Sequence, residues 1–297
     1  MDKTPYRQAV SALPPRLREA ALALPEPLQN RTEEVRLRAG WPMTAVLGAD
    51  ELPLGETPVS PGDLEQLLEL ASRASVHAVL PQLRRGYLSL EGGHRLGLCG
   101  TVSLEDGEVR TLRRLSSAAI RVARQVPGAA GEVLPGLCRE GVLRSTLILA
   151  PPGLGKTTLL RDLIRCVSEG EGAVPLRVGL ADERGEVAAL AQGLPQLAVG
   201  RRTDVLEGCS KARGLLLLLR SMNPQVLAMD EITEPEDIAA LESAAGCGVT
   251  LLATAHGERR EDLRRRPLYR SLPQFMEKLV LIHRQEGIRT YQVEELL

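Results

Sequence analysis

From Thr146 onward the chain repeats one pattern: a short apolar run, then a segment of different periodicity. The apolar runs are TLILA (146–150), LRVGLAD (176–182), QVLAMDE (225–231) and GVTLLATAH (248–256). Runs this short suit strands buried on both faces. After the first run, Leu160, Leu163, Ile164 and Val167 fall at i, i+3, i+4 and i+7, which predicts a helix with one apolar face. Helices are predicted after the other three runs as well. Strands alternating with helices predict a parallel sheet covered on both faces, an α/β domain.

The first half has a different texture. Proline-punctuated helical segments run to about residue 60. Within Glu33–Gly48, Val35 and Leu37 alternate with Arg36 and Arg38, the period of a half-buried strand. Leu64, Leu67, Leu68 and Ala71 predict a helix over Asp63–Ala74. The stretch 86–115 reads as short strands joined by glycine turns, and Arg124–Gly136 (RQVPGAAGEVLPG) reads as a linker. These textures divide the chain into a smaller α+β domain at 1–125, a linker at 126–136 and the α/β domain at 137–297. No internal repeat is visible.

The turn after the first apolar run carries the chemistry. Ala150 to Thr157 reads A-P-P-G-L-G-K-T, a match to [AG]-x-x-x-x-G-K-[ST]. A polyphosphate needs backbone N–H groups curled around it, and Gly153 and Gly155 allow that curl. The helix N-terminus adds a partial positive charge. Lys156 can reach the β- and γ-phosphates, and the Thr157 hydroxyl can ligate Mg²⁺. Pro152, Gly153, Leu154, Gly155, Lys156, Thr157 and Thr158 are therefore the candidate ATP-binding set. The plainer alternative is an ordinary strand–turn–helix joint, which the preceding strand and following helix make less economical.

A phosphate loop needs an acidic partner on a nearby strand. The run ending in Asp230-Glu231 supplies one: Asp230 can hold the Mg²⁺ shell through water, and Glu231 can polarise the attacking water. Asp182, Glu183 and Arg184 follow another predicted strand, and Thr254 and His256 end a fourth. In a parallel sheet these ends share one rim, where ligands bind. A solvated loop and a capping histidine are the bland alternatives. Arg95, Arg113, Arg114, Arg121 and Arg124 have the fork that matches phosphate, but in a chain with 33 arginines a solvated face is the better explanation of any single one.

Composition narrows the classes. The net charge is −1 and aromatics are 2% of 297 residues, which counts against nucleic acid as a partner. The charge run Glu258–Pro267 is then a solvated helix face or a subunit contact. Only four lysines stand against 33 arginines, and one of the four is Lys156. Five scattered cysteines, without metal-ligand spacing, read as reduced and mostly buried in a cytoplasmic protein. No apolar run is long enough to span a bilayer, so any membrane association is expected to be peripheral.

The phosphate loop, the DER box, the strand ending in DE and TAHG, in that order, resemble the ATPases of type II and type IV secretion and pilus systems. With EEVRLRAGWP, GGHRLGLCGTV, TLRRLSSAAIRVAR and NPQVLAMDEI, the chain is similar over nearly its whole length to the stage III sporulation protein AA family, the sporulation branch of those ATPases. The resemblance implies a RecA-like P-loop ATPase domain behind a small N-terminal domain, assembled as a hexameric ring at the mother-cell face of a membrane. It implies ATP and Mg²⁺ as ligands, and membrane proteins of the stage III A complex as partners in a channel linking mother cell to forespore. Carried over, Lys156 and Thr157 take the Walker A roles and Asp230 and Glu231 the Walker B roles. Glu183 falls in the Asp box and His256 in the His box. Arg113, Arg114 and Arg121 match the N-terminal arginines that reach the γ-phosphate, with Arg95 beside them. The chain departs from the pattern at Ala150, where glycine is usual, and at Thr233-Glu234-Pro235, where a glycine and a basic residue are expected. Two other readings remain open: a nucleotide-binding scaffold with little turnover, and a nucleic-acid-stimulated RecA-like ATPase.

Overall fold

A computed structural model describes residues 4–72, 80, 82–84, 86–105, 108–285 and 288–296. The chain forms two compact units that meet between Arg124 and Gln125.

In the N-terminal unit, prolines open the helices Pro5–Ala9, Pro15–Leu22 and Pro61–Ala71, where a missing N–H costs nothing. Ser60 and Asp63 add a reciprocal cap to the last of these. That helix ends at Ala71, and positions 73 and 74 of the expected helix lie outside the described residues. Six strands form one antiparallel sheet: β1 (Glu34–Arg38), β2 (Pro42–Leu47), β3 (Asp50–Pro58), β4 (Tyr87–Ser89), β5 (Arg95–Glu105) and β6 (Glu108–Arg121). Their order is β3-β2-β1-β6-β5-β4. The alternation read at Val35 and Leu37 holds: both are buried and their arginine neighbours are not. Val35, Leu37, Ala45, Leu96 and Ile120 face a core completed by Tyr6, Leu13, Leu64 and Leu67.

Where short strands with glycine turns were expected, β5 and β6 form one long ladder of 11- and 14-residue strands. Bulges relieve its length. At one of them a Cβ on Gly100 would stand 1.9 Å from the Arg114 carbonyl oxygen, so that glycine serves close backbone approach rather than a turn.

The C-terminal unit holds the parallel sheet. Its early strands are the short pair β7 (Cys138–Arg139) and β8 (Val142–Leu143), then β9 (Thr146–Ala150) and β10 (Val178–Asp182). There follow a small hairpin, β11 (Leu190–Ala191) and β12 (Leu194–Pro195), and β13 (Thr203–Glu207). The last four are β14 (Val226–Met229), β15 (Thr250–His256), β16 (Lys278–Gln285) and β17 (Ile288–Glu295). The seven-stranded sheet runs β13-β10-β14-β15-β9-β16-β17, parallel except for β17. Helix Lys156–Glu169 covers one face with Leu160, Leu163, Ile164 and Val167. Helices Lys211–Ser221 and Pro235–Gly246 cover the other with Leu215, Leu218 and Leu241.

Three expectations give way. The segment 126–136 is not a solvated linker: Ala130, Val133 and Leu134 are buried in this unit's core, and the Ala130 N–H donates to Asp162 Oδ2 at 2.8 Å. No helix follows β10. Positive φ at Gly185, Ala189, Gln192 and Gly193 turns the chain into the hairpin and then into β13. Of the cysteines only Cys166 is buried, and Cys99 and Cys247 are exposed. Among the described residues no helix is long and apolar enough to cross a membrane.

Candidate active site

Strands β9, β10, β14 and β15 are parallel neighbours, so their carboxyl ends share one rim. Ala150 closes β9 as an ordinary strand residue without positive φ, so its backbone does not require glycine there. The turn that follows needs left-handed backbone at Gly153 (φ 77°) and Gly155 (φ 94°). Helix Lys156–Glu169 starts directly after Gly155, and no side chain caps it. Its first-turn N–H groups are the kind that anions bind.

The loop and the acidic strand end are joined by hydrogen bonds. Thr157 Oγ1 donates to Asp230 Oδ2 at 2.7 Å, and Thr254 Oγ1 donates to Asp230 Oδ1 at 2.7 Å. A hydroxyl and a carboxylate oxygen side by side are the hard donors that Mg²⁺ takes, so this pair fits the implied metal. The Glu231 N–H donates to Thr254 Oγ1 at 2.8 Å. Glu231 itself adopts φ 49°, a left-handed conformation that a non-glycine residue holds only under constraint.

His256 links the two halves. Its Nδ1 lies 3.0 Å from Lys156 Nζ and its Nε2 lies 2.7 Å from Glu231 Oε1. An ammonium only donates, so Nδ1 accepts and the proton sits on Nε2, donated to the Glu231 carboxylate. Lys156 Nζ also donates to the Ala150 and Pro151 carbonyls, at 2.9 and 3.1 Å. Burial lowers the Lys156 pKa from its ordinary value, while the charges of Asp230 and Glu231 pull it back up.

The DER box divides its work. Asp182 is buried and accepts N–H bonds from Glu186, Val187 and Ala188. Burial raises its pKa despite those three bonds. It shapes the loop from within and also lines the cleft at the rim. Glu183 lines the same cleft, together with Arg184, Glu186, Lys211, Asp230 and Glu231.

Two residues that sequence reasoning missed join this site. Lys211 opens the helix Lys211–Ser221 and its Nζ donates to the Glu231 carbonyl at 2.8 Å. Arg289, on β17, holds its guanidinium carbon 3.0 Å from where a Cβ on Gly155 would stand. One signal was present for Lys211: it is another of only four lysines. Arg289 had none, because its approach depends on β16 lying beside β9.

Arg113, Arg114 and Arg121 occupy exposed positions on β6 of the N-terminal unit. Arg121 pairs with Glu34 at 3.5 Å, and Arg95 stacks over the Tyr87 ring at 3.9 Å. The site within the C-terminal unit is assembled without them.

Known proteins share this fold. Over 95% of the chain, the fold matches the ATPase DotB of Yersinia pseudotuberculosis at TM-score 0.62 and 14% identity, covering 80% of that protein. It matches the pilus retraction motor PilT with bound ADP at TM-score 0.61 and 17% identity, over 89% of this chain and 79% of that one. At those identities the likeness establishes the fold: a RecA-like α/β domain of the secretion-ATPase kind, preceded by a small domain with an antiparallel sheet. In sequence, the chain is 39% identical to stage III sporulation protein AA of Bacillus subtilis (strain 168), over 89% of its own length and 86% of that protein's. The profile of the family described as sporulation stage III, protein AA, matches residues 7–292, and the chain belongs to that family.

Proposed function

We propose that this protein hydrolyses ATP with Mg²⁺ at the loop 152–158, and that it does so as a motor of a sporulation channel complex. The observation that carries the reading is the bond from Thr157 to Asp230, which joins the phosphate loop to the acidic strand end. Its extension through Thr254, Glu231, His256 and Lys156 supports the same conclusion. Gly153, Leu154, Gly155, Thr158 and the helix N-terminus cradle the phosphates, with Pro152 setting the turn, and Lys156 supplies positive charge to them. Thr157 and Asp230 would hold Mg²⁺, whose charge would offset that of the phosphate oxygens. Glu231 orients and polarises the attacking water, and His256 keeps its carboxylate aimed through the Nε2–H bond. Glu183 stands across the cleft as a further acidic group.

An arginine is still needed for charge developing on the γ-phosphate. Arg113, Arg114 and Arg121, supplied by a neighbouring copy, fill that role in the proposal, which makes turnover depend on assembly. A closed homo-oligomeric ring, six-membered as in the ATPases it resembles, is the natural geometry. Location follows the family: peripheral on the mother-cell side of the membrane, docked on membrane proteins of the stage III A complex.

The test is phosphate release from Mg·ATP against protein concentration, for wild type, Glu231→Gln and Lys156→Ala. Activity that climbs steeply with concentration and disappears in both variants is expected. ATP binding that is lost only in Lys156→Ala, with no turnover at any concentration, would leave a nucleotide-binding scaffold instead.

A further inference from the structure

Lys211 is in the wrong place for stability. It begins the helix Lys211–Ser221, where the helix dipole disfavours a cation, and its side chain is 9% exposed. A buried ammonium persists only when its donors are matched. Those of Lys211 are matched to one turn. Nζ donates to the Glu231 carbonyl at 2.8 Å and to Thr233 Oγ1 at 2.9 Å, and it lies 3.4 Å from Asp237 Oδ2. The same Asp237 oxygen accepts the N–H groups of Thr233 and Glu234, at 3.0 and 3.1 Å. The turn 231–234 is thus gripped by a cation at its carbonyl and a carboxylate at its amides.

The grip falls on the residue that carries the chemistry. Glu231 sits at φ 49°, a conformation that needs outside support. Thr254 holds its N–H and Lys211 holds its carbonyl. With both ends of the residue fixed, the side chain leaves the backbone in the direction that brings Oε1 to His256. Lys211 Nζ is also 3.9 Å from Glu183 Oε2, so one ammonium touches both acidic loops of the rim. In a chain with 33 arginines, a lysine here has a geometric reason. Three acceptors converge on one atom, which suits a compact ammonium and not a planar fork.

We infer that Lys211 is a positioning residue for Glu231: it holds the turn in the left-handed conformation that aims the carboxylate at the attacking water. The inference rests on the hydrolytic reading above. It separates turnover from binding, because Lys211 has no contact with the phosphate loop in the bonds described.

The experiment compares wild type, Lys211→Met and Lys211→Arg for equilibrium binding of a fluorescent ATP analogue and for kcat of phosphate release at saturating Mg·ATP. Expected are dissociation constants within about threefold of wild type and a kcat at least tenfold lower in both variants. The arginine fails although it keeps the charge, a result that a purely electrostatic role would not produce, and retained ATP binding argues against a general loss of fold. A kcat within twofold of wild type in Lys211→Met overturns the inference, as does a loss of binding equal to the loss of kcat. If Lys211→Met does not fold, Thr233→Val decides. It removes one acceptor from the ammonium, and a kcat unchanged from wild type overturns the inference there too. Wild type that releases no phosphate, or a Glu231→Gln variant as active as wild type, removes the hydrolytic reading itself and this role with it; Lys211→Met matching an active wild type removes only this role.

Discussion

The antiparallel sheet keeps its charges outside, and the parallel sheet takes its charges in. Arg36 and Arg38 on β1 pair at the surface with Glu34 and Glu51. The polar groups this unit buries, such as Gln29, Thr32 and His94, carry no charge as the fold holds them. In the C-terminal unit Lys156, Arg161, Asp162, Asp182, Lys211 and Asp237 are all buried. Taking an ion out of water costs several kcal/mol even after the protein relaxes. Most of these buried ions lie at or just behind the carboxyl rim of the sheet, and each is held by bonds to loop backbone or to another charge. Buried charge therefore separates the unit that carries the candidate site from the unit that only packs.

The sharpest way to test that separation is to remove one charge at the rim. Glu231→Gln keeps the shape and a hydrogen bond to His256 but can no longer take a proton from water. Steady-state phosphate release is expected to fall by roughly 10²–10⁴-fold, the range for a lost general base, with the melting temperature unchanged. A variant that kept even a tenth of wild-type activity would move the chemistry elsewhere.

Removing a charge that is committed to loop amides should act on stability instead. Asp182→Ala leaves the N–H groups of Glu186, Val187 and Ala188 without their acceptor in a buried loop. A loss of about 3 kcal/mol in urea unfolding is expected for such orphaned donors. Asp182→Asn, which retains one acceptor oxygen, should lose less. A cost under about 1 kcal/mol for the alanine variant would mean that the loop finds other partners.

The N-terminal unit offers the converse test, a charge it is built to refuse. His94 is buried, its Nδ1 accepts the Ala123 N–H at 3.0 Å, and burial lowers its pKa from 6.5 to about 4. The unfolded chain takes a proton below about pH 6.5, while the folded chain waits until about pH 4. Between those values the unfolded state binds more protons, so stability falls as the pH falls, by up to about 3 kcal/mol. His94→Asn keeps an acceptor for Ala123 without the titration. Urea melts across this window should slope for wild type and flatten for the variant, and equal slopes would assign the acid sensitivity to another group.

How much of this could be read beforehand follows from where each signal lives. β9, its phosphate loop and the helix behind it are local: an apolar run, two glycines and a 3.6-residue period, all within Thr146–Glu169. β14 and β15 announce themselves as apolar runs with acids, threonine or histidine at the end. β13 gives no such signal. All five of its residues are half-buried, because it is the edge strand of the sheet, so it has neither a continuous apolar run nor a clean alternation. The segment 126–136 misled in the other direction. Its glycines and prolines look like a linker, yet Ala130, Val133 and Leu134 between them are core. Lys211 stands out only as one of four lysines; its meaning depends on helix Lys211–Ser221 packing beside the turn after β14, which no local pattern encodes.

The smallest effect tests the comparison at its edge. Arg289 is an exposed arginine, like those of β6, but it belongs to the unit that carries the phosphate loop. The pairing of Leu281 with Leu149 carries β16 beyond the end of β9, and the returning strand brings the Arg289 guanidinium against Gly155. A cation beside the positive end of a helix is favourable only with an anion to share. Arg289→Ala should therefore weaken ATP binding by a few-fold, about 1 kcal/mol, as expected for one partly exposed contact. Because residue and loop lie in one unit, the loss should be present at protein concentrations too low for assembly. Substitutions at Arg113, Arg114 or Arg121 should show nothing at that dilution and reduce turnover only once copies associate. Should Arg289→Ala bind ATP as tightly as wild type in the dilute protein, exposed arginines of both units would be alike, and only the buried charges would distinguish them.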